Sequence, residues 1–147
     1  MFKSTIAVAV LALIGFGAFV RFNPVNPDSF HVDPETVERP SYPGHVLVRP
    51  GGDIEPTQYA DASAAVAERL EEVILSTPRT TLLAGNLQDG WASYVTRSSL
   101  WGFPDIASVK LVEVDGGTEL RVYSRLRYGY ADMGVNRARV ESWLSQL

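Results

Sequence analysis

"DIASVKLVEVDGGTELRVYSRLR", Asp105 to Arg127, decides the fold. Strand-like residues flank "DGG" at Asp115–Gly117, and that turn is a strong short-hairpin signal. A turn so short joins strands that run antiparallel. Upstream, "RTTLLAG" (Arg79–Gly85) and "GWASYVTRSS" (Gly90–Ser99) have the same character and are separated by turn residues. "HVLVRP" (His45–Pro50) alternates and reads as a short first strand, after which "PGGD" turns the chain.

The period changes on either side of these strands. From Thr57 to Ser76, Tyr59, Ser63, Val66, Leu70, Val73 and Ile74 share one helical face, while Glu68, Arg69, Glu71 and Glu72 fall on the other. Thr57 or Asp61 stands as the cap and Pro78 as the stop. Helical spacing returns from Met133 to Leu147, with Met133, Val140, Trp143, Leu144 and Leu147 on one stripe. The pattern predicts an α+β domain over residues 45–147, an antiparallel sheet of four or five strands with both helices on one face.

At the other end, "STIAVAVLALIGFGAFV" (Ser4–Val20) has no charge and is bracketed by Lys3 and Arg21. As a helix it rises about 25 Å, a little short of a ~30 Å hydrocarbon core. Phe2 and Phe22 extend the apolar ends, and Lys3 and Arg21 can snorkel to the headgroups. Residues 4–22 therefore read as a transmembrane signal-anchor. A cleaved signal peptide competes, but only Gly15 and Gly17 offer small residues, and cutting there leaves "AFVRF" as the new terminus. A buried core helix is the third reading. The amino terminus and Lys3 outweigh Arg21 in positive charge, which places the expected domain in the periplasm of a single-pass inner-membrane protein. Residues 23–44 hold five of the nine prolines and read as a semi-rigid spacer that lifts the domain off the bilayer. Phe30, Val32 and Tyr42 suggest that part of it packs on the domain.

Composition narrows the function classes. A net charge of −4 supplies no basic surplus for nucleic acid. There is no cysteine, and the two histidines, His31 and His45, read as packing residues, so neither a metal nor a cofactor is expected. No nucleophile elbow, phosphate loop or HExxH stretch occurs. A hydrolase would have to use Asp105 and Asp132. A purely structural envelope component would offer Trp91, Tyr94 and Trp101 as its contact surface.

The least generic stretch is "SRLRYGYADMGVNRARVE", Ser124 to Glu141. Arg125 and Arg127 fall on the same side of the last strand as Tyr123, with Ser124 and Leu126 opposite. Gly129 and Gly134 permit backbone angles closed to other residues. Asp132 stands where a helix cap belongs. Asn136 falls on the apolar stripe, where an unpartnered amide costs roughly 1–3 kcal/mol. Arg137 and Glu141 can pair along the outer face. The cluster admits two readings. It is a latch that holds the fold, or it is a site for an anionic small molecule or an envelope protein, with Arg125, Arg127, Arg137 and Arg139 near a helix mouth.

These residues also resemble the closing signature of domain-of-unknown-function family 1499. Ser124 and Arg125 match its Ser-Arg pair, and Gly129, Asp132, Gly134, Val135, Asn136, Arg137 and Arg139 match the remainder of that signature. "TPR" (Thr77–Arg79) and "SSLWGFPD" (Ser98–Asp105) are similar to its middle section, where Ile106 stands in place of a second acidic residue that the family usually shows. "VRFNPVNPDSFHVDP" is similar to the segment after the anchor in membrane-attached members. The resemblance runs from about Asp33 onward and implies a small envelope-associated domain, with no catalytic residue to carry over.

Overall fold

The computed structural model describes residues 2–147, with side chains from Thr5 onward. The expected snorkelling of Lys3 and the contribution of Phe2 lie outside the described side chains. In chain order the elements are α1 (Phe2–Phe22), a single turn α2 (Pro27–Phe30), β1 (His45–Val48), β2 (Gln58–Tyr59), α3 (Ser63–Ser76), β3 (Thr80–Asn86), β4 (Trp91–Arg97), β5 (Pro104–Val114), β6 (Gly117–Leu126) and α4 (Val135–Leu144).

The expected hairpin is the spine of the sheet. β5 and β6 pair antiparallel from Asp105↔Leu126 to Val114↔Gly117. The order is β1-β6-β5-β4-β3, and β2 adds a sixth, two-residue strand to β6. This α+β architecture has one strand more than the alternation alone indicated. β2 fits because Gly117 has no side chain: a Cβ there would overlap the Tyr59 carbonyl oxygen. Residues 57–62 are thus lost to the helix expected to begin at Thr57. The helix starts after Ala62, which makes no side-chain capping bond, and Asp61 pairs with Arg69 at 2.7 Å instead.

α3 and α4 both lie on one face of the sheet. Val66, Ala67, Leu70 and Ile74 of α3 and Val140 and Trp143 of α4 pack there on Val46, Val48, Tyr94, Ala107, Val109, Leu120 and Val122. Trp143 also donates to Thr77 Oγ1 at 2.9 Å, fixing α4 to the end of α3. Met133 does not join the stripe; it precedes the helix and is 98% exposed.

The opposite face is covered by the proline-rich segment. Val25 and Phe30 pack with Val95, Ile106 and Leu83 in a second, small core. His31 stacks on Trp91 with centroids 4.0 Å apart and bonds Ser93 Oγ at 2.8 Å. A segment that makes no ladder still carries carbonyls that must be satisfied, and arginines of the sheet satisfy them. Arg49 donates to the carbonyls of Pro34, Glu35 and Val37 (3.2, 2.9 and 2.9 Å). Arg125 donates to Phe30 O at 2.6 Å, and Arg127 to Asn23 O and Pro24 O at 3.2 and 2.9 Å. Arg97 reaches the last turn of α1 at Val20 O, 3.3 Å away. Lys110 adds ion pairs to Asp33 and Glu35 at 2.7 and 2.6 Å.

The Thr5–Phe22 stretch of α1 is long and apolar enough to cross a membrane, and only 6% of it is buried within the protein. Its domain-side end is tied down: Val20 is buried, Phe16 meets Phe103, and Asn23 donates to Tyr128 Oη at 2.8 Å.

Replacing Arg125 by Met should destabilise the full chain by about 1–3 kcal/mol, because the Phe30 carbonyl loses its short charged donor and keeps only the 3.3 Å bond from Ser108 Oγ. Hydrogen exchange should rise first in amides of residues 27–33, ahead of α3 and α4. Exchange that stays unchanged in this segment would mean that the arginine does not hold it.

Candidate functional site

The turn into α4 is built from strained backbone and one carboxylate. Met133 and Gly134 both take left-handed angles (φ 54° and 82°), and Gly134, at home in that region, is the helix cap. Asp132 therefore sits two residues ahead of the position expected for it, yet does the same work. Its Oδ1 accepts from Gly134 N at 3.0 Å, and its Oδ2 from both Asn136 N and Asn136 Nδ2 at 2.8 Å. Asn136, fully buried, accepts at Oδ1 from Ser124 Oγ (2.5 Å) and Arg139 Nη1 (3.1 Å). Arg139 also donates to Asp105 Oδ2 at 2.9 Å. Ser124, Asn136, Asp132, Arg139 and Asp105 thus form one network joining β5, β6 and α4.

The two carboxylates are pushed in opposite directions. Burial raises Asp105 above the usual carboxylate range, against the pull of Arg139, and the Asp132 charge adds to the rise. Burial also acts upward on Asp132, but the Asn136 amide, the Asn136 side chain and the Gly134 amide more than offset it and hold the group below its ordinary value.

The arginines selected from sequence do not converge. Arg125 and Arg127 lie on the opposite face, with their donors on main-chain carbonyls and their guanidinium groups over Tyr123 and Tyr128 at 4.3 and 5.0 Å. Burial works against the charge of Arg125, lowering its pKa. Arg137 is on the surface, with Glu141 at 3.0 Å and Asp53 O at 3.0 Å. Of the nine positions, Ser124, Asp132, Asn136 and Arg139 are brought together around Asp105, and Gly134 shapes their turn. Gly129 lines the hollow beside them.

That hollow is a groove of about 550 Å³ between α1 and the mouth of α4. Phe16, Phe103, Leu126, Tyr128, Met133 and Val135 give it apolar walls, and Asp105 and Asp132 reach its polar end. Phe16 and Phe103 do not stand out in the sequence; the only signal is an excess of apolar residues in the turns "SLWGF" and "YGYADMGV". The aromatics expected as a contact surface also separate. Tyr94 is fully buried and Trp91 lies under His31, leaving Trp101 at 41% exposed. Among the described residues no group of three His, Asp or Glu side chains is placed to hold a metal.

The chain belongs to the family described as "Protein of unknown function (DUF1499)", whose model matches residues 20–147. No curated protein matches it. The matched region takes in the whole arginine-held segment as well as the sheet and both of its helices.

Asp132→Asn tests the network. The amide cannot accept from Asn136 and Gly134 as the carboxylate does, so stability should fall by about 1–3 kcal/mol at neutral pH. A carboxyl held below its ordinary value contributes stability above that value and loses it as pH falls through the folded value. Denaturant unfolding from pH 7 to below about 4 should therefore show parent and variant converging in acid. A constant difference across that range would exclude Asp132 as the titrating group.

Proposed function

We propose that the chain is a single-pass membrane protein whose α+β domain faces the non-cytoplasmic side, the periplasm in a bacterial envelope, and binds without chemistry. Its ligand site is the groove beside α1, and the ligand is an amphiphile with an extended apolar part. The observation that carries this reading is the position of the groove, walled partly by Phe16 of the anchor helix itself. A neutral or cationic head suits the polar end, where Asp105 and Asp132 stand. An anionic ligand is the weaker alternative, because the charged side chains that line the groove are the two carboxylates and none of the arginines.

A diazirine-bearing alkylamine, added to membranes holding the full chain and photolysed, should label Tyr128, Met133 and Val135. Filling the groove by Ala131→Trp should remove those labels while leaving labels on α1. Labelling confined to α1 would overturn the groove as a ligand site.

One observation favours a second reading, a hydrolase. Asp105 and Asp132 line the same groove and are shifted in opposite directions, Asp105 upward by burial and Asp132 downward by its Asn136 and Gly134 donors, as a division of labour between two carboxyls requires. Asp105→Asn should then abolish whatever cellular phenotype the parent complements. Full complementation by that variant would remove the enzyme reading.

A further inference from the structure

The loop between β4 and β5, Ser98–Phe103, is packed against α1 well above its last residue. The Trp101 ring carbons lie 3.1 Å from where a Cβ on Gly17 would be, and the Arg21 side chain lies 3.1 Å from the same point on Gly102. Phe103 meets Phe16 with centroids 6.2 Å apart. Arg97 ties the loop and the helix together, donating to Val20 O and Gly102 O at 3.3 and 2.9 Å.

Helix length then fixes the depth of this loop. The apolar stretch Thr5–Phe22 has 18 residues, which rise about 27 Å, against a hydrocarbon core of ~30 Å. A helix with no length to spare must place its uncharged run up to Val20 in the core to span it, with Arg21 at the boundary. Gly17 lies four residues before Arg21, about 6 Å inside the boundary on the domain side. Trp101, held against Gly17, goes in with it. The loop is suited to that layer: Leu100 is 77% and Trp101 41% exposed, and "SSLWGF" carries no charge. Beside it, Arg21, Arg79 and Arg97 surround a hollow of about 300 Å³, a cationic rim suited to the headgroup layer of an anionic bilayer.

We propose that Ser98–Phe103 is a membrane wedge, inserted at the headgroup–acyl boundary of the bilayer that α1 spans, so that the domain lies on the membrane surface and does not stand off it. The occupant of this exposed apolar patch is the bilayer itself. The inference rests on the anchor part of the proposed function and is independent of the groove's ligand.

The absence of cysteine makes the test direct. The full chain carrying Leu100→Cys, Leu11→Cys or Glu72→Cys is labelled with the fluorophore NBD and reconstituted in phosphatidylcholine–phosphatidylglycerol vesicles. Emission and quenching by lipids spin-labelled at known depths are then read. The label at Leu11 should report the bilayer interior, the one at Leu100 the boundary layer, and the one at Glu72 water. A Leu100 label in water with the Leu11 label in lipid overturns the wedge and leaves the anchor. Both labels in water overturn the anchor and the wedge together.

Discussion

The structure depends on guanidinium groups bonded to main-chain carbonyls. Residues 23–37 are too rich in proline to join a ladder, and their carbonyls face a sheet whose own hydrogen bonds are already made. Arg49, Arg125 and Arg127 solve this from three places on the sheet, and Arg97 extends the same device to the end of α1. One arginine offers several donors in a fixed fork. It can therefore serve two or three carbonyls of irregular backbone at once. The second core of Val25, Phe30, Val95 and Ile106 is small, and these bonds hold its cover in place together with the His31–Trp91 stack and the Lys110 ion pairs.

Much of this was legible in the sequence, and its limits come from what a pattern contains. Alternation located the five longer strands, and the "DGG" turn fixed their sense, because strand period and turn chemistry are local properties. The two-residue β2 has no period to detect; it exists because Gly117 lets Tyr59 approach. Asn136 was recognisable as a polar residue on an apolar stripe, and its partners Ser124 and Asp132 lay in the same short motif. Alternation also put Arg125 and Arg127 on one side of β6. It could not say that the other side of that contact would be the proline-rich segment about a hundred residues earlier (95 and 103 positions). The groove was not legible for the same reason, since Phe16, Phe103 and Met133 share no local pattern.

The register of the strands gives the apolar residue at position 106 a physical reading. Ile106 pairs directly with Arg125 across β5 and β6, and both face the proline-rich segment. An acidic residue at 106 would stand beside that buried guanidinium and neutralise it. With Ile106 there, Arg125 relies on the Phe30 carbonyl and on the ring face of Tyr123. The neighbouring Asp105 points the other way and belongs to the α4 network. Two adjacent positions of one strand thus serve different faces, and a change at one leaves the other's chemistry intact.

The arginine bonds also impose an order in time. The segment they hold comes directly after α1, whereas Arg125 sits on the last strand of the sheet and Arg127 just beyond its end. During synthesis, then, the helix and the covering segment exist long before the surface that will receive them, and contacts across so many residues form slowly. The sheet and its helix-side core can assemble around local pairings first. The opposite face can close only once Arg125 and Arg127 have been made, because they hold its cover.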